Sequence, residues 1–363
     1  MLQTQIEASL TAYEDAVLGK GLLGEKTIKA ISITDERIGI DIELGFPCEE
    51  MALALAPAIQ ARLEPLAAGR AVQVNITPGI KPHVGKQGVR GLPNIKNMIA
   101  VASGKGGVGK STVAVNMALA LVKAGASVGM LDADIYGPSQ PMMLDAVGER
   151  PILKAGRLQP ILRHGIQSMS IGYLVDQQAP MVWRGPMIGK AMQQMLNDTD
   201  WAALDYLIVD LPPGTGDIQL TLCQKMPVSA AVIVTTPQDL ALLDVRRACE
   251  MFTKLEVPIL GVIENMSIYH CEACGHATRI FGEGGGLKLA HEYGVSLLGE
   301  IPLNAQIREL TDSGRPPVVA APDSHYAKAF REVALRMALA LSRQTKSYSA
   351  LFPKIVVEQL KED

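Results

Sequence analysis

The apolar pattern of the chain changes character near residue 97. Before it, residues 1–78 mix short alternating and helical periods: a helix near Thr4 to Leu18, strands near Thr27 to Thr34 and Ile38 to Leu44, a helix near Glu49 to Ala67 and a strand at Ala71 to Ile76. That is the pattern of a small α+β unit. From Asn97 onward, short continuous apolar runs alternate with helices: Asn97 to Ala102, Ser127 to Leu131, Tyr206 to Val209, Ala230 to Thr235, Ile259 to Ile263 and Val295 to Leu298. Runs of this kind belong to strands buried on both faces, so the pattern predicts an α/β fold with a doubly wound, mostly parallel sheet. Ligands of such sheets bind beyond the carboxyl ends of the strands. A helix near Ser324 to Leu341 is predicted to pack on the sheet.

Between the two patterns, residues 79–96 carry Gly79, Pro82, Gly85, Gly88, Gly91 and Pro93 with Lys81, Lys86, Arg90 and Lys96, which breaks regular structure and reads as an exposed linker. The organisation expected is therefore a small α+β domain over 1–78, a linker over 79–96, a sheet domain over 97–343 and a peripheral tail over 344–363.

Composition narrows the function classes. A net charge of −3 over 363 residues argues against a polyelectrolyte partner, so nucleic acid is not expected. Forty-eight per cent hydrophobic residues with 4% aromatics suit a buried parallel sheet. No run approaches the ~20 apolar residues that cross a bilayer. The first residues, with Glu7, Glu14 and Asp15, lack a signal or import pattern, which makes the cytoplasm the expected location and a membrane partner unexpected. Five cysteines do not form a disulfide framework, and a CxxC pair in such a protein points to metal or redox chemistry.

The most specific motif runs from Gly104 through Lys105, Gly106, Gly107, Val108, Gly109 and Lys110 to Ser111 and Thr112. It stands between a buried strand and an apolar helix, Thr112 to Lys123, closed by Gly125. In that frame glycine-rich backbone N–H groups converge on one anion, Lys110 supplies a point charge for β and γ phosphates, and the Ser111 hydroxyl suits Mg²⁺. The ligand implied is a nucleoside triphosphate. Two further elements follow in order. Asp132 and Asp134 end the strand at Leu131, and Asp210 closes the run Tyr206 to Val209, followed by Pro212, Pro213, Gly214, Thr215, Gly216 and Asp217. Carboxylates at those strand ends can orient water or hold a magnesium shell, and the Pro/Gly segment can answer to a γ-phosphate as a switch.

GKGGVGKS with its early lysine, LDADIYGPSQP and IVDLPPGTGD together resemble the deviant Walker A ATPases, the class of nitrogenase iron protein and of the cell-division and plasmid-partition ATPases. The resemblance implies an ATP-sandwich homodimer in which Lys105 reaches the nucleotide of the other subunit. It also implies that Lys110 and Ser111 bind phosphate and Mg²⁺, that Asp134 positions the attacking water, that Asp210 supports the metal shell, and that Asn265 reads the adenine edge. Without the resemblance, Asn265 reads equally as a turn-forming asparagine.

Cys271 and Cys274, in the stretch Tyr269-His270-Cys271-Glu272-Ala273-Cys274-Gly275-His276, form the second site. Two thiolates can share one metal centre, but tetrahedral zinc or a cubane cluster wants about four ligands. Either His270 or His276 completes a zinc knuckle, or the pair cycles as a dithiol, or two chains contribute a pair each. Redox cycling is the weaker option, because the pair follows a late strand rather than opening a helix. The dimer implied by Lys105 would bring two pairs together across a two-fold axis.

At this point the chain resembles the Mrp/ApbC family of iron-sulfur cluster carriers from about Asn97 to Leu341. The resemblance rests on the phosphate loop, LDADIYGPSQP, Met181 to Pro186, DLPPGTGD, ENMS shortly before CxxCGH, and GEIPLN, and the first 78 residues resemble the small iron-sulfur assembly domain of many members. It implies a [4Fe–4S] cluster on Cys271 and Cys274 of two subunits, slow ATP hydrolysis, upstream cluster donors and apo-protein recipients. Two readings compete: a positioning or partition ATPase, opposed by the CxxC pair and by the lack of a basic amphipathic C-terminal helix, since Ser349 to Asp363 ends in Glu358, Lys361, Glu362 and Asp363, and a nucleotide-controlled dimer with structural zinc. Cys48, Cys223 and Cys249 read as packing, and Trp183, Arg184 and Lys190 as packing or dimer face.

Overall fold

The structure, a computed structural model, describes residues 2–24, 26–83, 89, 91–175 and 185–344. Trp183, Arg184 and the tail from 345 lie outside the described residues.

Residues 2–78 build a three-stranded sheet with two helices. Helix α1 (Leu2–Thr11) precedes β1 (Ile28–Ile33) and β2 (Arg37–Leu44), then α2 (Glu49–Leu63) and β3 (Ala71–Pro78) follow; β2 is central, antiparallel to β1 and parallel to β3. The predicted first helix is too long. Asp15 Oδ1 accepts from the backbone N–H of Val17 at 2.9 Å and of Leu18 at 2.8 Å, which turns the chain, and residues 14–15 pair with 19–20 instead.

The second sheet has nine strands among the described residues. Its members are β4 (Ile95–Ala102), β5 (Val128–Asp132), β6 (Ile161–Arg163), β7 (Ile166–Ser170), β8 (Leu204–Asp210), β9 (Ala230–Thr235), β10 (Ile259–His270), β11 (Ala277–Thr278) and β12 (Ser296–Leu303). The spatial order is β6-β7-β5-β8-β4-β9-β10, with β10 pairing both β11 and β12. Only β6 and β11 run antiparallel to their neighbours. The doubly wound, mostly parallel sheet expected from the apolar runs is what forms. Its central strands carry unbroken buried side chains, as in Ala230–Thr235, because helices cover both faces.

Helices α3 (Lys110–Lys123), α4 (Gln140–Met143), α5 (Gly185–Asp198), α6 (Asp217–Lys225), α7 (Asp239–Lys254), α8 (Gly285–Glu292), α9 (Ala305–Asp312), α10 (Pro317–Ala320) and α11 (His325–Arg343) complete the chain. Ile99, Val101, Val113, Met117, Phe330 and Met337 share one apolar cluster with Ile42, Phe46, Ile59 and Leu63 of the small sheet and its helix. Arg336 donates to Val17 O at 3.1 Å, Arg331 pairs with Glu50 at 3.1 Å, and Glu49 N–H donates to Ala124 O at 3.1 Å. The small sheet is thus seated on α3 and α11, away from the carboxyl ends of β4, β5 and β8.

Candidate nucleotide and cysteine sites

Register brings the candidate carboxylates together. Ser170 of β7 is aligned with Asp132 of β5, Asp132 with Asp210 of β8, and Asp210 with Val101 of β4, all at the carboxyl ends of parallel strands. The loop 103–109 leaves β4 there and enters α3. Gly104 is obligatory at the start, since a Cβ would strike the backbone of Asp244 and Val245 in α7. Gly109, at φ 78°, caps α3 in the left-handed region, and a Cβ there would also strike the Asn265 amide. The first turn of α3, with its unpaired N–H groups and positive dipole end, therefore opens beside three carboxylates.

Lys110 is almost wholly enclosed and its ammonium is paired with the Asp210 carboxylate, with Ser111 Oγ 3.3 Å away. The other Asp210 oxygen accepts from Gln140 Nε2 at 2.8 Å. Asp132 is fully buried and accepts from Ser170 Oγ at 3.0 Å and from the Gln140 backbone N–H at 3.2 Å. Burial, then the neighbouring Asp210 charge, hold the Asp132 carboxyl far above the ordinary carboxylate range. Asp134, two residues past the strand and only half-buried, is raised by burial and pulled back by Lys110. Lys105 is half-buried, and among the described residues no carboxylate pairs with it. Asn265 is buried and its amide donates to Val108 O at 2.8 Å, so it clasps the phosphate loop. Ser111 Oγ and the Asp210 carboxylate both flank the Lys110 ammonium, so the two residues expected to face a magnesium shell stand together at the start of α3.

Gln140 and Ser170 are absent from the residues singled out by sequence. The signal available for Gln140 is its place six residues after Asp134, in the motif GPSQP.

The cysteines stand on a different device. Strand β10 does not stop at Ile263 but continues to His270, then returns as β11, with Tyr269 facing Thr278 and His270 facing Ala277. Cys271 to His276 is the loop of this hairpin, closed by Cys271 N–H to His276 O at 2.9 Å and Gly275 N–H to Cys271 O at 2.8 Å. Gly275 takes φ 72°, which lets the loop turn back under the thiols. Cys274 is exposed and Cys271 partly so. The backbone N–H groups of Cys274 and Ala273, and then the Cys274 thiol, hold the Cys271 thiol below its ordinary pKa. N–H groups aimed at sulfur in this way stabilise a thiolate, the form that binds metal. Among the described residues no cluster of three or more His, Cys, Asp or Glu side chains suited to a metal occurs, so neither His270 nor His276 completes a site with the pair. His270 instead packs edge-on against His325, ring centroids 6.1 Å apart.

The other cysteines are of another kind. Burial pushes the Cys48 thiol up to about 11 and the Cys249 thiol up to about 12, and Cys223 is buried as well. Iodoacetamide should therefore alkylate Cys271 and Cys274 in the folded protein and leave Cys48, Cys223 and Cys249 unmodified, as read by peptide mass spectrometry. The Cys271 rate should reach half its plateau at a pH below that of an ordinary thiol; a midpoint above it would contradict the N–H contacts.

Residues 94–338 match the family described as ParA, NUBPL iron-transfer P-loop NTPase, and residues 3–76 match the family described as iron-sulfur cluster assembly protein. The chain belongs to the NUBPL iron-transfer P-loop NTPase family. Among relatives, the iron-sulfur cluster carrier protein of Pseudomonas fragi is 55% identical over 265 residues, covering 72% of this chain and 92% of its own. That of Escherichia coli K12 is 44% identical over 341 residues, covering 94% and 92%. The nucleotide-binding protein of Archaeoglobus fulgidus, solved in complex with ADP, is 38% identical, with a TM-score of 0.58 over 65% of this chain and 93% of that one. The P-loop NTPase fold of the family accounts for the order seen here of phosphate loop, strand-end carboxylates and Pro/Gly segment. No helix among the described residues is long and apolar enough to cross a membrane.

Proposed function

We propose that two copies of this chain bind Mg²⁺-ATP between them, carry one [4Fe–4S] cluster on the Cys271 and Cys274 pairs of both, and deliver it to apo-proteins. The observation that carries this reading is the cysteine hairpin: one exposed thiol and one partly exposed thiol held below its ordinary pKa by backbone N–H groups, with no third ligand near them among the described residues. A cubane needs about four thiolates. A two-fold axis beside the hairpin supplies them. Relatives 55% and 44% identical bear the name iron-sulfur cluster carrier protein, and one 38% identical binds ADP, which supports both halves of the reading.

In this reading Gly104 to Thr112 cradle the phosphates, and Lys110 exchanges Asp210 for a phosphate oxygen. Ser111 and Asp210 hold the magnesium shell. Lys105, without a carboxylate partner of its own among the described residues, serves the nucleotide of the other subunit. The exposed Leu240 and Leu243 lie on α7 beside Gly104 and offer apolar area for that interface. Asp134 positions the water that attacks the γ-phosphate, its raised pKa bringing it toward the range of a proton acceptor. Hydrolysis is a regulatory step on loading or release. Asn265, on β10, clasps the phosphate loop and lies six positions before Cys271, which directly follows the strand, so movement at the nucleotide is passed along β10 to the thiols. Residues 1–78 recruit cluster donors or recipients, and the protein works in the cytoplasm.

The decisive experiment is anaerobic reconstitution with iron and sulfide, read by metal and sulfide content per dimer and by the visible spectrum. About four irons and four sulfides per dimer are expected. Tightly held zinc without sulfide would leave a nucleotide-controlled dimer with a structural metal and would end the carrier reading.

A further inference from the structure

A buried polar atom beside the phosphate loop, Gln140 Oε1, has no hydrogen-bond partner among the described residues. Gln140 is wholly enclosed. Its side-chain nitrogen donates to Asp210 Oδ2 at 2.8 Å and to Ser111 O at 3.2 Å, and its backbone N–H donates to Asp132 Oδ2 at 3.2 Å. Both side-chain partners can only accept, so the amide has one allowed orientation; turned over, its oxygen would face a carboxylate and a carbonyl. The oxygen shares a carbon with that nitrogen and therefore also lies beside Asp210 and the start of α3. A buried acceptor in a folded protein has a donor.

We propose that Gln140 is a positioning residue for the divalent cation that accompanies the nucleotide, its amide oxygen accepting from a water of the cation's shell. The inference rests on the nucleotide reading above. Magnesium dehydrates reluctantly, so what it offers to surrounding side chains is mostly the protons of its own waters. Those protons need acceptors. Asp210 provides one, oriented by the Gln140 nitrogen, and the Gln140 oxygen provides another. A glutamine suits the position because one group must both donate to Asp210 and accept from water, and because a third carboxylate beside Asp132 and Asp210 would add repulsion. The sequence delivers it there through local geometry: Asp132 accepts the backbone N–H that opens α4, which aims the Gln140 side chain back across β5 toward β8.

The test uses the full chain, with ADP as ligand, titrated calorimetrically with excess chelator and with excess magnesium. The wild type is expected to bind ADP more tightly with magnesium. Gln140→Met, which keeps length and removes both polar atoms, is expected to lose about 10-fold or more of the magnesium-dependent tightening, measured against its own metal-free ADP binding. Gln140→Glu keeps an oxygen at the same reach but loses the donor to Asp210 and adds a charge, so it is expected to bind metal-free ADP more weakly and yet to retain the tightening by magnesium, whose charge offsets the added carboxylate. The same loss in both variants, or wild-type tightening in Gln140→Met, overturns the inference. Should Gln140→Met fail to fold, Gln140→Asn, which keeps the amide but shortens its reach, is titrated in the same way: loss of the magnesium-dependent tightening is expected, and wild-type tightening overturns the inference. Wild type that binds no ADP under either condition refutes the nucleotide reading itself; wild type that binds ADP indifferently to magnesium refutes only the role of Gln140.

Discussion

Lys110→Ala should lower ATP affinity by about 100-fold or more, and adding Asp210→Asn should restore stability without restoring affinity. The side chain is enclosed and paired with a carboxylate that is itself fully buried. Removing the cation leaves Asp210 charged, buried and still facing Asp132, a change of the kind that costs about 3–5 kcal/mol. The single variant therefore confounds two effects, lost phosphate contact and a damaged resting structure. Asp210→Asn in the Lys110→Ala background removes the orphaned charge while its amide oxygen can still receive the Gln140 nitrogen. Most of the lost stability should return in chemical denaturation. The phosphates, however, would still lack their point charge, and loss of one partner from a buried charge-assisted pair is worth about 2–5 kcal/mol. Nucleotide binding, read with a fluorescent ATP analogue, should stay lost. If the double variant regained affinity, Lys110 would be a structural counter-ion of Asp210 and the loop would hold phosphate through its backbone alone.

Most of the sheet was legible because its strands are continuous apolar runs, and apolar continuity needs no knowledge of the partner strand. The carboxylates at Asp132 and Asp210 were legible for a related reason: each directly ends such a run. What escaped was polar and buried. Strand β10 reads as ending at Ile263 because Glu264, Asn265 and Ser267 follow, residues that favour loops. In the fold each finds a partner far along the chain. Glu264 accepts from Gly286 N–H at 2.5 Å, Asn265 donates to Val108 O at 2.8 Å and Ser267 donates to Ile301 O at 3.1 Å. Those bonds let the strand run on to His270 and so place the cysteines on a hairpin rather than in an open loop. Gln140 escaped for the same reason, since its meaning arises only when parallel register sets Asp132 beside Asp210. The first helix was overextended because apolar spacing continues past the point where the Asp15 carboxylate turns the chain.

Replacing either cysteine of the pair should abolish the cluster as completely as replacing both. A site confined to one chain loses one ligand when one cysteine is changed, and clusters or zinc can survive at reduced occupancy with water or histidine in its place. A site shared across a two-fold axis loses two ligands at once, because every substitution appears in both subunits. Cys271→Ala and Cys274→Ala should each leave two thiolates per dimer, too few to hold a cubane. Iron after anaerobic reconstitution should fall from about four per dimer to near zero in each single variant and in the double variant alike. The buried Cys48, Cys223 and Cys249 cannot substitute, since their thiols lie within the apolar core or helical packing. A mixed dimer of one wild-type and one doubly substituted chain, isolated by two affinity tags, sharpens the test, for it too carries two thiolates and should hold no cluster. Retention of about half the iron in the mixed dimer would place a complete site within each chain and would remove the link between dimerisation, nucleotide and cargo on which the carrier reading depends.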